Sequence, residues 1–173
     1  MRLFLAIELN QPMKQALSSM QLAMKQNGVR GNYTKQENLH LTLAFIGEYP
    51  DPETVLTVLN TVPFSPFILE LEGFGAFGSL YWVGLKQNDA LSVYVSRLRR
   101  ALAIHEIPYD HKKFRPHITL VRQATWDSRR GMPGIQVPSA SMLVDHVSLM
   151  RSDRGKHGMI YTPIGGTQAT RSG

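Results

Sequence analysis

The chain has no cysteine and comparatively few charged side chains. Cysteine is absent from all 173 residues, and charged residues make up 18% of them, against roughly 25% in an average soluble domain. Without cysteine, disulfide bridges, thiolate zinc sites, iron–sulfur clusters and thiol nucleophiles are excluded. Because the chain has no cysteine, we expect a cytoplasmic protein. Hydrophobic residues make up 43% of the chain, which is enough for a core, so we also expect it to be folded.

Long hydrophobic runs are also missing. The apolar run Leu3–Ile7 stops at Glu8, which is shorter than the ~7–15 apolar residues of a signal peptide, so we interpret it as a first strand. The segment Leu39–Gly47 is interrupted by His40 and Thr42 and falls short of the ~18 apolar residues of a transmembrane helix. We therefore expect no membrane span.

Acidic residues are outnumbered by basic ones. There are 19 Lys and Arg against 13 Asp and Glu, the formal net charge is +6, and the pI is near 9.8. A basic balance of this size favours partners that carry phosphate, although it identifies no particular site.

Helical and extended patterns follow one another without a regular βαβ order. Three segments carry apolar residues at helical spacing, and they begin near Asn10, Asp51 and Leu91. Alternating or apolar segments predict strands at Leu3–Ile7, Leu39–Gly47, Phe67–Phe74, Tyr81–Leu85, His117–Arg122, Met142–Met150 and Met159–Ile164. This mixture predicts a single α+β domain over residues 1–173 with antiparallel sheets. The polar end, residues 165–173, is expected to be frayed.

A five-residue pattern occurs twice. The run His40-Leu41-Thr42-Leu43-Ala44 is matched by His117-Ile118-Thr119-Leu120-Val121. Successive side chains in a strand point to opposite faces, so each histidine shares a face with the threonine two residues later. If the two halves of the chain pack about a pseudo-twofold axis, the two His–Thr pairs converge on one cleft.

Two imidazoles and two hydroxyls in one cleft suit acid–base chemistry on a phosphodiester. A neutral histidine can accept a proton from the attacking oxygen, while a protonated one gives a proton to the leaving oxygen. Threonine hydroxyls can hold the phosphate oxygens. The other four histidines show no HxH or HExxH spacing, so we expect no metal and no cofactor. The alternative is a pair of ordinary strands with a polar face.

The repeated pattern resembles the paired HxTx signatures of the two-histidine (2H) phosphoesterase superfamily. Within it, the chain is similar to the RNA 2',3'-cyclic phosphodiesterase branch, historically called 2'-5' RNA ligases. The similarity extends to Arg2–Ile7, Ala44–Glu48, Tyr81–Leu85, Phe114–Pro116 and Tyr161, and so spans nearly the whole chain. It implies a bilobed α+β fold, in which two pseudo-symmetric antiparallel sheets with helices outside face a central cleft and each carry one motif.

The resemblance also implies an activity, which is metal-independent hydrolysis of a 2',3'-cyclic phosphate at an RNA 3' end to a 2'-phosphomonoester. His40 corresponds to the family's proton donor and His117 to its proton acceptor, while Thr42 and Thr119 correspond to phosphate-binding residues. The spacing alone does not decide which histidine is the acid. The expected partner is RNA with a cyclic-phosphate end, and we expect the protein to act on it as a monomer.

Other residues are candidates for substrate contact. Arg122 is expected to bind phosphate, but an ideal strand places it on the face opposite Thr119, so a bend or a strand end is needed. Phe77, Tyr81 and Trp82 are candidates for stacking a terminal base, with burial in the core as the alternative. The sequence alone does not decide between stacking and burial.

Two further functions are compatible with the same residues. A ligase would join a cyclic-phosphate end to a 5'-hydroxyl with the same acid and base, because that is the reverse type of reaction. A noncatalytic module would bind an RNA end or a nucleotide in the cleft. A binder needs donors but no matched acid and base, so the presence of both His40 and His117 favours catalysis, and abundant water favours hydrolysis over ligation.

Overall fold

The computed structural model describes residues 1–127, 129, 131 and 133–170. Within these residues, the chain folds into strands, three α-helices and one short 3-10 turn. In chain order they are β1 (Arg2–Glu8), α1 (Gln11–Gln26), β2 (Arg30–Tyr33), the 3-10 turn (Gln36–Asn38), β3 (His40–Glu48), α2 (Pro52–Leu59), β4 (Phe67–Phe77), β5 (Leu80–Leu85), α3 (Asp89–Ile104), β6 (His117–Thr125), β7 (Ser141–Val144), β8 (His146–Gly155) and β9 (Gly158–Gln168).

The strands form two antiparallel sheets. The first has the order β3-β1-β8-β9 and the second the order β2-β6-β5-β4-β7. Every neighbouring pair runs antiparallel. One HxT motif lies on β3 of the first sheet and the other on β6 of the second. The α+β architecture with two antiparallel sheets, predicted from the sequence, is confirmed.

The two long helices begin in the same way. The Asn10 side-chain oxygen accepts a hydrogen bond from the Met13 amide at 3.0 Å, and the Asn88 oxygen accepts one from the Leu91 amide at 3.1 Å. An N-cap oxygen of this kind pairs a backbone donor that has no partner inside the helix. No described helix has both the length and the apolar character of a membrane span.

The two halves of the chain exchange elements. The helix α1 follows β1 of the first sheet but packs against β6 of the second, and α3 follows β5 of the second sheet but packs against β3 of the first. The strand β2, just after α1, pairs with β6. The segment after α3 lies on β3, where the Asp110 amide donates to the Phe45 carbonyl at 2.8 Å. The motif strand β3 is therefore packed by α3 and the segment after it, which follow β5 of the second sheet. The motif strand β6 is packed by α1 and β2, which follow β1 of the first sheet.

Burial of aliphatic side chains determines which face of each motif strand turns to the cleft. Leu41 and Leu43 on β3, and Ile118 and Leu120 on β6, have no exposed surface. Full burial of such a side chain contributes about 1.5–3 kcal/mol. A register slip by one residue would expose these side chains, so packing holds the histidines and threonines on the opposite face.

One predicted strand is divided in the structure. The segment Met142–Met150 was expected to be a single strand, but it breaks at Asp145 into β7 of the second sheet and β8 of the first. The single-strand prediction is wrong because each part finds a different partner, β4 for β7 and β1 for β8. The polar segment Arg30–Tyr33, which carries no strand pattern, forms β2 because β6 offers it a backbone edge.

The polar end of the chain is more ordered than its composition indicates. Residues 165–168 belong to β9 and pair with β8, so the prediction of fraying is wrong for this part. The Ala169 and Thr170 amides donate to the carbonyls of Asp145 and Phe64. The backbone pairing outweighs the absence of large apolar side chains. Residues 171–173, for which fraying was also predicted, lie outside the described residues.

Candidate active site

The strands β3 and β6 bring both motifs to one pocket. An inner pocket of about 100 Å³ is lined by Thr34, Asn38, His40, Thr42, His117, Thr119, Arg122 and Tyr161. Since a water molecule takes about 30 Å³ of liquid volume, this space suits a group the size of one tetrahedral oxyanion. The predicted convergence of two His–Thr pairs is therefore present in the structure.

The two histidines are oriented by the same backbone contact. His40 Nδ1 lies 2.7 Å from the carbonyl of Asn38, and His117 Nδ1 lies 2.6 Å from the carbonyl of Arg115, in each case two residues upstream. A carbonyl oxygen only accepts, so Nδ1 carries the hydrogen and donates it. Nε2 is then the nitrogen that can accept or release a proton in both rings.

His40 lies in a pocket of aromatic rings. Its ring centroid is 5.1 Å from that of Phe4 and 5.2 Å from that of Tyr161, and its Nε2 is 2.8 Å from Thr42 Oγ1. Burial lowers the pKa of His40 below its usual value, the positive charge of Arg122 and the nearby His117 lower it further, and the contact with the Asn38 carbonyl opposes this. The free chain therefore favours a neutral His40, opposite to the protonation that a proton donor needs.

His117 lies beside aromatic side chains of the β4–β5 hairpin. Its ring meets the Phe77 ring edge-on at 5.2 Å and lies 6.2 Å from the ring of Trp82. The indole of Trp82 packs against the bare backbone of Gly75, where a Cβ would come within 2.6 Å of it. Phe77 is 40% exposed. Phe77 and Trp82, both predicted as stacking candidates, thus lie next to the second motif.

Tyr81, the third stacking candidate, does not face the cleft. It is buried, its ring stacks on Phe74 at 5.7 Å and it meets the ring of Trp126 at 5.5 Å. Neighbouring residues on β5 point to opposite faces, so Tyr81 points to the core when Trp82 points to the cleft. The stacking prediction for Tyr81 is wrong, and its role is packing.

Arg122 reaches the cleft because β6 contains a bulge. Trp82 pairs with Thr119 and Tyr81 pairs with Val121, so Leu120 is an extra residue in the ladder. A bulge shifts the alternation of side chains by one residue, and Leu120 and Val121 are accordingly both buried. Arg122 therefore returns to the face of Thr119. This bulge is the bend that Arg122 needs in order to reach the cleft, and its position was not predicted from the sequence.

A wider cavity of about 610 Å³ opens on the first-motif side of the inner pocket. Besides His40, Thr42 and Arg122, it is lined by Arg2, Phe4, Phe45, Glu48, Ser152, Asp153, Arg154, Met159 and Tyr161. The Arg2 guanidinium lies 5.1 Å above the ring of Phe45. Neither Arg2 nor Phe45 was predicted as a site residue. Phe45 could have been found by aligning the repeats, because it follows His40 at the distance at which Arg122 follows His117.

No Asp or Glu is among the described residues that line the inner pocket. Among the described residues no group of three or more His, Asp or Glu side chains is arranged to hold a metal ion. The polar atoms of the inner pocket are imidazole nitrogens, hydroxyls, amide groups and one guanidinium. Such groups can donate hydrogen bonds to an anion and can exchange protons with it.

Comparisons with known proteins agree with this architecture. Residues 14–156 match the model of the 2'-5' RNA ligase superfamily. An RNA 2',3'-cyclic phosphodiesterase of Thermotoga maritima is 28% identical over 93% of this chain and 91% of its own, and one of Escherichia coli K12 is 30% identical over 78% and 77%. The crystal structure of E. coli LigT complexed with 3'-AMP superposes with a TM-score of 0.82 at 25% identity, and covers 98% of both chains.

These matches define the class of protein. The family model covers most of the chain, and the solved relatives share its fold from end to end. The chain belongs to the 2'-5' RNA ligase superfamily. The resemblance inferred from the sequence is confirmed.

Proposed function

We propose that this chain is an RNA 2',3'-cyclic phosphodiesterase that hydrolyses a terminal cyclic phosphate to a 2'-phosphomonoester. The observation that carries the proposal is the inner pocket, where two histidines, two threonines and Arg122 surround a space of oxyanion size. The names of relatives at 25 to 31% identity support the same reaction. We retain the predictions that the enzyme needs no metal and acts as a cytoplasmic monomer.

The reaction needs one proton accepted and one donated. Water attacks the phosphorus while its proton passes to Nε2 of His117. The bond between phosphorus and the 3' oxygen breaks, and that oxygen takes the proton from Nε2 of His40. Thr42, Thr119 and Arg122 donate to the nonbridging oxygens as their negative charge grows. The products are a 2'-phosphomonoester and a 3'-hydroxyl, and proton exchange with solvent restores both histidines.

In the free enzyme the lowered pKa of His40 opposes its assignment as the proton donor. Bound substrate has the opposite effect on this pKa. A cyclic phosphodiester carries one negative charge, which beside the imidazole favours its protonated form. Binding of substrate thus raises the pKa of His40 when a proton is required there.

Phe77 and Trp82 lie beside the second motif, where they can stack the terminal base.

A sulfur leaving group distinguishes the acid from the base. In a cyclic substrate whose 3' oxygen is replaced by sulfur, the leaving thiolate needs no proton because a thiol is far more acidic than an alcohol. The sulfur substrate should restore the rate of His40→Ala towards that of the wild type but leave His117→Ala slow. Restoration of His117→Ala instead would reverse the two roles, and His105→Ala, exposed at the end of α3, is the control.

The overall activity is tested with an oligoribonucleotide that ends in a 2',3'-cyclic phosphate. Purified protein in EDTA should convert it to a 2'-phosphomonoester, identified against 2'- and 3'-phosphate standards. Addition of an oligonucleotide with a 5'-hydroxyl tests ligation in the same tube. Binding without any conversion would identify a noncatalytic module, and a joined product would identify a ligase.

A further inference from the structure

Two polar side chains, the buried Gln21 and the partly exposed Arg99, occupy the same position in the two long helices. Gln21 in α1 and Arg99 in α3 lie equally far from the start of their 16-residue helices. Gln21 Nε2 donates to the Leu120 carbonyl at 3.0 Å, and Arg99 donates to the Leu43 carbonyl from Nε at 3.2 Å and from Nη2 at 3.0 Å. Each acceptor is the residue three positions after a motif histidine.

These two carbonyls belong to equivalent bulges. In β3, Thr42 pairs with Ala6 and Ala44 pairs with Leu5, so Leu43 is the extra residue, as Leu120 is in β6. A bulge takes its residue out of the regular ladder, and a buried carbonyl without a partner is costly. The donors from the helices satisfy these carbonyls at the point where each strand changes its alternation.

The two carbonyls receive different donors from outside the strand ladders. The Leu120 carbonyl already accepts from the Thr34 amide at 2.9 Å, because β2 lies alongside β6. One amide hydrogen of Gln21 completes that carbonyl, and Gln21 also donates to the Thr34 carbonyl at 2.8 Å. β3 is the edge strand of its sheet, and its Leu43 carbonyl accepts from two nitrogens of the planar guanidinium of Arg99.

We propose that Gln21 and Arg99 are positioning residues for the reaction. They hold the two bulges, which set the placement of each motif's His and Thr relative to Phe45 in β3 and to Arg122 in β6. The inference rests on the proposed function for its kinetic consequences. Arg99 is itself fixed, since Nη1 donates to the Lys112 carbonyl at 2.7 Å and the guanidinium lies 5.5 Å from the Phe114 ring centroid. Neither residue lines the catalytic pocket.

The consequence of losing each side chain is local. Arg99→Met removes both side-chain donors of the Leu43 carbonyl, whereas Gln21→Met leaves the Leu120 carbonyl with the Thr34 amide. Because a misplacement of about 1 Å can cost about a hundredfold in rate, we expect kcat to fall about 10- to 100-fold for Arg99→Met and about 3- to 10-fold for Gln21→Met. KM should change less than kcat in both.

The test combines kinetics with imidazole NMR signals. Arg99→Met should move the signals of His40 and not those of His117, and Gln21→Met should do the reverse. Arg100→Met and Gln15→Met, which are exposed neighbours on the same helices, are the matched controls and should resemble the wild type. If a methionine variant does not fold, Arg99→Lys and Gln21→Asn, which keep one donor group, take the same measurements.

Two results would overturn the inference. One is kinetics and imidazole signals that match those of the controls. The other is a loss of activity that follows only the loss of folded protein, with both histidine signals unchanged in what remains folded. If the wild type itself does not hydrolyse the cyclic end, the proposed function fails, and the imidazole signals alone decide whether Gln21 and Arg99 position the motifs.

Discussion

Replacement of the two motif threonines by valine should slow hydrolysis unequally. Thr→Val keeps the shape and the strand propensity but removes the hydroxyl. In the free structure the Thr42 hydroxyl is bonded to Nε2 of His40 at 2.8 Å. The His117 contact within the described residues is instead Nδ1 to the Arg115 carbonyl at 2.6 Å, with no matching bond from Thr119. In the proposed reaction, Nε2 of His40 gives its proton to the leaving oxygen. The wild type therefore loses the bond between Nε2 and the Thr42 hydroxyl, whereas the Thr42→Val variant has no such bond to lose.

The size of the difference follows from that bond. A donor to a developing oxyanion is worth about 10²- to 10³-fold in rate, and a neutral hydroxyl beside Arg122 should fall at or below this range. We therefore expect Thr119→Val to lower kcat/KM by about 10- to 1000-fold. The bond from Thr42 to His40 is worth about 0.5–1.5 kcal/mol, so the loss for Thr42→Val should be smaller by about 2- to 13-fold at 1.36 kcal/mol per decade.

Steady-state kinetics on the cyclic-ended oligoribonucleotide measures both effects. The decrease should appear in kcat, because a contact that strengthens in the transition state is not confined to KM. Thr61→Val, at the end of α2 and distant in sequence from both motifs, is the control for the substitution itself. Unchanged kcat in both motif variants, or a larger loss for Thr42→Val than for Thr119→Val, would refute the reasoning.

Three further outcomes are expected. His40→Ala and His117→Ala should each lower the rate on the natural substrate by about 10²- to 10⁴-fold with the fold retained by circular dichroism, and near-normal turnover by either would refute the two-histidine scheme. The rate should show a bell-shaped pH dependence with two limbs that belong to the coupled pair, and should persist in EDTA; a requirement for added zinc or manganese would contradict it. NMR titration should place the pKa of His40 below its usual value, and inorganic phosphate or Arg122→Gln should raise that pKa. Because the folded state favours neutral His40, the free energy of unfolding should decrease as the pH falls below about 6.5. An unshifted pKa of His40 would show that burial is not the dominant cause.

The motif repeat and the pattern of apolar residues were sufficient to predict the fold class and the pairing of His40 with His117. Alternation in a strand is a local rule, so His40 and Thr42 could be placed on one face from the sequence alone. The caps at Asn10 and Asp51 are equally local, because their oxygens bond amides three residues away. These features depend on near neighbours, which the sequence displays directly.

Features set by pairing between distant segments could not be predicted. The break at Asp145 exists because β7 and β8 find different sheets, and β2 exists because β6 offers it an edge. Tyr81 and Trp82 were equivalent candidates until the register of β5 sent one to the core and the other to the cleft. None of these choices has a counterpart in local composition.

The chemistry of the cleft follows from the residue types in the chain, whereas its geometry depends on how distant strands pair. The histidines, threonines and Arg122 are present in the chain, but an ideal strand directs Arg122 away from Thr119. Only the bulge at Leu120, with its carbonyl bonded to Gln21 and Thr34, returns Arg122 to the pocket. A bulge depends on how many residues the partner strand supplies, and the partner β5 is fixed only when the sheet forms.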